Sequence, residues 1–414
     1  MATIPSFIAP STLTWLGIAR ELFTGTPVLP TNTIPLDKGT YSPEDTPKFL
    51  PDEAIRGVMT PLFNEVRGVE DATMSFGGPA FLDTAGFWMD NLYGDLSTTS
   101  QGTLGSAIAL SGSISAGATT FTVGSALGGT IPTGSIIQIT DGAASEVIIT
   151  SAGSSTTVPV FTGYPTRFAH STSATASLQS ANTVGYTHKF AILNTGNGQP
   201  PTHTITDYTG LTASTGARSY PSTCLSQMDI SGNAEQLLNL KVSGNSWLSA
   251  ASVSKPVNTT NFVIPVANWR STVTVGGVQV YDIGEWSFSV KRQLQTYWTA
   301  QNGQQPYIIA RGGLMMTGNF DYRVAVDESP LTQMLTSGYL PVVITISNGL
   351  AGTSLLTMTI TTTTAQFIKS APERNAVLVG YKDEFEAVAN STDVGGTGGL
   401  GPGTITIQNN IPTY

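Results

Sequence analysis

The chain has 414 residues, enough for two or three domains that each bury their own core. Only 11% of the residues are charged, against roughly 25% in ordinary soluble proteins, and the formal net charge is -9. This acidic balance excludes a protein that grips nucleic acid with clustered Lys and Arg. Because Thr, Ser and Gly replace the missing charges, we predict a mainly β fold with tight turns.

Neither export nor membrane insertion is indicated. The first basic residue is Arg20, so the N-terminus does not resemble a secretory signal, and no apolar run approaches the roughly 20 residues of a membrane helix. The single cysteine, Cys224, excludes an internal disulfide, and we expect it to be buried. We therefore expect a soluble protein with no membrane partner.

Prolines dominate the first predicted elements. Residues 17–36 alternate loosely and contain three prolines, which favours an edge strand or an extended arm. Residues 38–51 contain Pro43, Pro47 and Pro51 as well as several acids, so we predict a long loop that reaches a neighbouring molecule. A strand-like stretch is predicted for residues 56–76. Apolar residues at helical spacing then predict a helix over 81–93, with Gly94 as its stop signal.

The composition changes abruptly between residues 104 and 178. Only Asp141, Glu146 and Arg167 are charged in these 75 residues, and short alternating runs are separated by Gly-rich turns. The pattern predicts a small all-β domain inserted into a larger unit.

The rest of the chain is predicted to be mostly strands. Residues 186–194 and 202–207 are expected to pair with each other, residues 234–240 to form a helical or turn element, and residues 243–255 to form a linker. A short helical segment is expected at 330–335. The other predicted strands are 225–230, 272–281, 285–291, 308–310, 314–326, 342–347, 355–364 and 404–408.

The chain repeats one pattern. Residues 13–250 and 251–414 each contain strands, an extended segment, a strand, a helix and further strands. Without the insertion, the two copies have 163 and 164 residues. We therefore predict an N-terminal arm and first half of unit 1 (1–103), an inserted domain (104–178), the remainder of unit 1 (179–250) and unit 2 (251–414).

No motif for catalysis or cofactor binding is convincing. Residues 396–401 match GxGxxG by letter, but Pro402 and a predicted strand follow where a nucleotide-binding helix is required. The three histidines lack metal-ligand spacing, and adjacent carboxylates such as Asp383 and Glu384 point to opposite faces of a strand. We predict no catalytic, cofactor or metal site and no enzymatic activity.

Several segments carry a family resemblance. They are LGIARELFTGTPVLPTNTIPL (16–36), VRGVEDATMSFGGPAF (66–81), three segments within 186–233 (YTHKFAILN, ITDYTG and ARSYPSTCLSQMDISGN), and, in the second copy, VYDIGEWSFSVKRQ and MTGNFDYRVAVDESPLTQML. Together they resemble the major tail tube proteins of long-tailed, siphovirus-like bacteriophages. The resemblance implies two tandem tail-tube-type β-sandwich or barrel units, each with one helix, plus the inserted domain.

The resemblance also implies a function and partners. Subunits of this family join their sheets into rings that stack into the hollow tail tube, which conducts DNA from capsid to host. Partners would be other copies of the chain, the tape measure protein, and tail-terminator or tail-tip proteins. The protein would be assembled in the host bacterial cytoplasm and located in the virion tail. Since single-unit members form six-membered rings, a two-unit chain predicts a trimeric ring with pseudo-sixfold symmetry, with a hexamer as the alternative.

Candidate residues follow from this interpretation. A carboxylate-rich lumen would let DNA slide through without specific binding. The acidic candidates are Glu65, Glu70, Asp71, Asp321 and Asp327. The candidates for contacts between stacked rings are Pro43, Glu44, Asp45, Pro47 and Phe49. The inserted domain would decorate the exterior. Alternatives are another virion component, such as a fibre or capsid protein, and a glycan-binding β-protein.

Overall fold

A computed structural model describes most of the chain: residues 11–37, 40–128, 131–154, 156–160, 165–179, 185–210, 216–251, 256–259, 263–300, 303–323, 328–336, 338–350, 354–374 and 377–414. Strands dominate these residues, which confirms the predicted mainly β fold. The two α-helices that they contain are α1 (Ala85–Tyr93) and α2 (Ser329–Leu335).

The strands up to the end of the inserted region are β1 (Trp15–Arg20), β2 (Asn32–Ile34), β3 (Ser42–Asp52), β4 (Asn64–Pro79), β5 (Gly94–Ser100), β6 (Ile108–Ala109), β7 (Thr120–Thr122), β8 (Ile136–Thr140), β9 (Glu146–Ile149), β10 (Thr157–Pro159), β11 (Thr175–Leu178) and β12 (Tyr186–Ile192). The later strands are β13 (His203–Tyr208), β14 (Ala217–Asn233), β15 (Asn239–Ser246), β16 (Ala250–Ala251), β17 (Ser271–Val275), β18 (Val278–Val280), β19 (Ile283–Tyr297), β20 (Ile308–Tyr322), β21 (Leu340–Ser347), β22 (Thr357–Arg374), β23 (Val379–Ala387) and β24 (Thr404–Asn409).

Eight antiparallel strands form one continuous sheet, which we call the main sheet. Its order is β3-β4-β15-β14-β19-β20-β23-β22. Buried and accessible residues alternate along these strands, for example in β19 from Gly284 to Val290, so one face covers a core and the other is polar. The sheet therefore presents a polar face on the side away from the core.

A second layer closes the core. Strands β1, β2 and β13 continue from the N-terminal half of β14, while β17, β21 and β24 continue from the N-terminal half of β22. One hydrophobic cluster includes residues from the main sheet, from these strands and from α1. Long strands that change layers midway therefore tie the two layers together.

The inserted region has its own sheets and its own core. Strands β6, β8, β9 and β11 form one sheet and β7 and β10 another, around an aliphatic cluster that includes Ile137 and Val158. The hairpin β5–β12 carries this region, and β12 also pairs with β24. Arg167 fastens the region to the body, because its guanidinium contacts Asp90 of α1 at 2.6 Å.

Several sequence predictions were wrong in detail. Residues 42–52 are a strand and not a loop, because prolines are tolerated where the missing N–H faces away from the partner strand. The next strand begins at Asn64 rather than Arg56, and the first four residues of the expected linker, 243–246, are the end of β15. Strands β12 and β13 do not pair with each other, and β23 was missed.

Candidate functional site: a repeated sheet with two free flanks

The same strand pairing occurs twice in the main sheet. In the hairpin β3–β4 the last pair before the loop is Asp52 with Asn64, and in β19–β20 it is Tyr297 with Ile308. Both hairpins contain a bulge in the same place: Gly68 and Val69 of β4 lie opposite Lys48 of β3, and Gly312 and Gly313 of β20 lie opposite Gln293 of β19. The two hairpins can therefore be superimposed residue by residue.

The equivalence extends through the other strands. The pairs β14–β15 and β22–β23 share a bulge at corresponding positions, between Leu225 and Gln227 and between Phe367 and Lys369. The pairs β13–β14 and β21–β22 also match, as do β1–β2 and β17–β18. Strands β3, β4, β15 and β14 thus correspond in order to β19, β20, β23 and β22. Equivalent residues include Arg67 and Arg311, and Phe76 and Phe320.

The two four-strand groups meet at one internal junction. Strands β14 and β19 pair over seven residues, from Gln227 opposite Lys291 to Asn233 opposite Glu285. On the core side, Ile230 and Phe288 face each other with no solvent exposure. On the polar side, Ser289 donates a 2.6 Å hydrogen bond to Asp229. The junction is therefore continuous on both faces.

Both outer flanks of the main sheet lack a partner strand in the described chain. The first flank is β3, whose Pro43, Pro47 and Pro51 are four residues apart and therefore share one side of the strand. The second is the C-terminal half of β22, which pairs only with β23. Pro372 there is exposed although its equivalent, Ile230, is buried. The difference arises because β19 covers Ile230, whereas no strand among the described residues covers Pro372 in the same way.

Helix α1 is buried on every side and receives two arginines from the second unit. All nine of its residues are buried, and Gly94 ends it in the left-handed conformation, as predicted. Arg311 donates to the Asn91 carbonyl at 3.3 Å, and Arg292 donates to the Leu92 carbonyl at 2.5 Å. These cations satisfy carbonyls at the negative end of the helix dipole.

The side chains of Arg292 and Arg311 are both buried. Burial lowers the pKa of Arg292 to about 10, and the nearby Arg311 adds to the effect. Burial also lowers the pKa of Arg311. Their other acceptors are backbone carbonyls, including those of Gly312, Gly198 and Pro201. The hairpin β19–β20 is thus locked onto α1 by charge-assisted hydrogen bonds.

Helix α2 occupies the equivalent place beside β22 but is uncovered. It packs on β22 as α1 packs on β14, yet Pro330 is its only buried residue among those described. Leu335 is 68% exposed. Helix α2 contains no basic residue in its last turn. Its outer side is therefore a second free surface next to the free edge of β22.

The polar face of the main sheet carries more acids than bases. Lysines on this face are paired with some of the acids, for example Lys369 with Glu384 at 2.5 Å and Lys382 with Glu373 at 2.9 Å. The carboxylates that the strand alternation places there are Glu44, Asp71, Asp229, Glu285, Asp321, Glu373, Glu384 and Glu386, and the lysines are Lys241, Lys291, Lys369 and Lys382.

The acidic candidates from the sequence are divided by the structure. Asp71 and Asp321 lie on the polar face, where Thr46 donates to Asp71 at 2.8 Å. Glu70 is buried on the opposite side and pairs with Arg67 at 2.5 Å. Glu65 is exposed in the distal part of β4. Asp327 lies outside the described residues.

The five candidates for contacts between rings all lie in β3. Alternation places Glu44 on the polar face, while Pro43, Asp45, Pro47 and Phe49 share the other side of the strand. Asp45 accepts hydrogen bonds from Ser249. Their common position is the free edge of the main sheet.

A family model described as phage tail tube protein matches residues 13–409, nearly the whole chain. The chain belongs to the phage tail tube protein family. It is therefore a structural protein of the virion tail, which favours the tail tube prediction over the fibre, capsid and glycan-binding alternatives. No curated protein matches it.

Some titratable groups of this tail tube protein hold parts of its structure together. His170 contacts Asp141 and Glu146, and the glycine-rich loop at 396–401 is held by hydrogen bonds from Thr397 to Asp95. A cavity of about 650 Å³ lies between the inserted region and the body, beside Glu21. Within the described ranges, no group of His, Cys, Asp and Glu is arranged to hold a metal, and no helix is long and apolar enough to cross a membrane.

Sequence reasoning missed the residues that make the tail tube protein's junction. Arg292 and Arg311 carry no motif, and their role depends on a bulge that aligns two distant strands with α1. One signal was available, because the equivalent position of Arg311 is also an arginine, Arg67.

Proposed function

We propose that three copies of this tail tube protein close into a ring with pseudo-sixfold symmetry, and that rings stack into the tube of a long-tailed, siphovirus-like phage. One observation carries the proposal: the main sheet consists of two equivalent four-strand groups with one internal junction and two free flanks. Joining β22 of one copy to β3 of the next repeats the internal junction. Closing the sheet in this way also removes its exposed edges.

The internal junction specifies a register for the joint between copies. Equivalence places Ala371 opposite Glu44 of the next copy, as Asp229 lies opposite Ser289 within the chain. It also places Pro372 opposite Pro43, so the two residues that lack an N–H donor share a single pair. The outward positions of the remaining β3 prolines interrupt any ladder that extends farther.

The polar face then lines the lumen, and DNA passes along it. Its carboxylates outnumber its lysines, so phosphates are repelled and no phosphate-binding patch forms. Asp71 and Asp321 belong to this lining. We propose Asp229, Glu285, Glu373 and Glu384 in place of the buried Glu70.

The inserted region begins and ends farther out than residues 104–178. Helix α2 leads directly to β21, whereas between α1 and the equivalent β13 the chain forms β5 to β12. We therefore propose that residues 94–202 are the insertion and that it decorates the outside of the tube. As in other members of the family, the tape measure, tail-terminator and tail-tip proteins are the proposed partners.

Electron microscopy tests the ring directly. Purified tubes are imaged and averaged, and the inserted domains around one ring are counted. Three domains per ring, one for each chain, are expected with pseudo-sixfold symmetry in the inner wall. Six full-length chains in a ring would contradict the trimer and support the hexamer.

A further inference from the structure

The distal half of the hairpin β3–β4, residues 48–67, is largely exposed and contacts the second hairpin near its base, where Lys48 lies over the Trp298 ring and the Gln304 side chain donates to the Arg67 carbonyl. We propose that this distal half docks on α2 of the neighbouring copy, where Arg67 donates to carbonyls in the last turn of α2. This inference rests on the ring proposed above and adds a contact that pairing of the sheet edges does not require.

Within the chain, the hairpin β19–β20 makes the contact with α1 on which the docking is patterned. Beyond the bulge, the hairpin β19–β20 continues past β14 and reaches the C-terminal end of α1. Arg311 donates to the Asn91 carbonyl there and is only 7% exposed. A hairpin that joins the edge of β14 therefore also seals the helix that packs on β14.

Arg67 occupies the position in the first hairpin that Arg311 occupies in the second. Arg311 pairs with Leu294 directly beside the bulge in β20, and Arg67 pairs with Phe49 directly beside the bulge in β4. The Arg67 side chain is 48% exposed and its one described ion pair is with Glu70. The same residue type thus stands at the equivalent position with donors to spare.

The outer surface of α2 has the chemistry that such a hairpin would bind. Leu331 and Met334 are only partly buried against the core, and the buried Gln333 side-chain oxygen accepts no hydrogen bond from any described residue. The last turn of a helix presents carbonyls that attract a cation. The outer side of α2 therefore matches both the apolar side chains and the arginine of the hairpin.

The hairpin β3–β4 itself exposes many large apolar side chains. Ile55 and Met59 are fully exposed, a state that is unfavourable unless a partner covers them. Other large apolar side chains of the same hairpin are also exposed: Phe49, Leu50, Val58, Leu62 and Val66. The equivalent loop of the second hairpin is also mostly exposed, but it contacts the first hairpin, since the Gln304 carbonyl accepts from the Glu70 backbone N–H and its side chain donates to the Arg67 carbonyl.

Glu65 gains a different role from this placement. Its equivalent is Ile309, which is buried beside Cys224 at the internal junction. Glu65 therefore lies between copies, next to Gln366, the equivalent of Cys224. A lateral contact replaces the lumen position expected from the sequence.

Hydrogen exchange of the wild-type protein tests the docking. Amides of 332–336 are compared between unassembled protein and assembled tubes. We expect at least tenfold slower exchange in the tubes, because the hairpin covers the last turn of α2. If three-membered rings form and these amides exchange as fast as before, the docking is wrong while the ring stands. If rings of six form, the proposed function fails first.

Substitution of Arg67 provides the second readout. Arg67→Met should raise the concentration of unassembled protein in equilibrium with tubes at least tenfold, whereas Arg67→Lys, which keeps the charge, should raise it less than threefold. Glu70→Gln is the matched control, because it removes the ion pair within the chain and leaves Arg67 free to dock. Equal effects of Arg67→Met and Glu70→Gln would overturn the inference.

Discussion

A buried ion pair at Asp90 shows how single residues hold the inserted region on the body. Asp90 is fully buried in α1 and meets Arg167 at 2.6 Å, and Arg167 also donates to the backbone oxygen of Tyr414. Burial alone would raise the pKa of Asp90, but the charges of Arg167 and Arg20 outweigh it and lower the pKa. Asp90 is therefore ionised and depends on its cation.

Arg167→Met should destabilise the chain by about 3–5 kcal/mol, because it leaves an uncompensated buried charge. The measurement is the free energy of unfolding in urea at pH 7. Adding Asp90→Asn to this variant should restore much of the loss, since the unpaired charge is then gone. A loss below about 1 kcal/mol for the single variant would show that water reaches Asp90.

Two buried histidines should make stability depend on pH. Burial lowers the pKa of His188 to about 4 and that of His203 to about 3, so both rings are neutral in the folded protein. The unfolded chain takes up these protons below about pH 6.5. Each histidine therefore makes the folded state less stable as the pH falls from about 6.5 towards its folded pKa.

Two other groups act in the opposite direction. The carboxylates of Glu146 and Asp141 raise the pKa of His170 despite its burial, and burial raises the pKa of Asp383 to about 6. The clean measurement is therefore the difference between the wild type and His188→Gln. Relative to the variant, the wild type should lose up to about 1.4 kcal/mol per pH unit between pH 6.5 and 4. A constant difference across that range would show that folding does not lower the pKa of His188.

At the scale of elements, the sequence predicted best where a local signal exists. Helix α1 has apolar spacing and a Gly stop at Gly94, and several strands of the inserted region have alternating residues between Gly turns. It failed where tertiary position overrides composition. Strand β3 contains three prolines and still forms, because its outer edge faces no partner within the chain.

The candidate site was predictable only in outline. The repeat of two units was visible as similar patterns, but residue-by-residue equivalence required the strand pairing, which shows that Gly68 after Arg67 and Gly312 after Arg311 stand at the same bulge. The acidic lumen was an idea about composition, and only strand alternation separates Asp71 from its buried neighbour Glu70. The insertion was recognised by composition, but β5 and β12 are as ordinary in composition as the unit around them.

At the scale of the whole molecule, the chain contains its own template for assembly. The joint between units 1 and 2 shows which strands meet, in which register, and how a neighbouring hairpin covers a helix. In the ring that we propose, the same joint is repeated between copies, and the open eight-stranded sheets of three chains close on one another. A two-unit chain thus makes half of the junctions of the ring within a chain, so only three have to form by association.

A cysteine pair tests this central claim most directly. Glu44→Cys and Ala371→Cys are introduced into one chain, and assembled tubes are oxidised and analysed by non-reducing denaturing electrophoresis. The equivalent internal pair, Asp229 and Ser289, lies close enough for a 2.6 Å hydrogen bond. The control variant combines Glu44→Cys with Lys369→Cys, two residues out of register and too far apart for a disulfide. We expect covalent species no larger than a trimer for the first variant, and few covalent species of any size for the control. Ladders that extend to six chains, or equal cross-linking of the control, would contradict it.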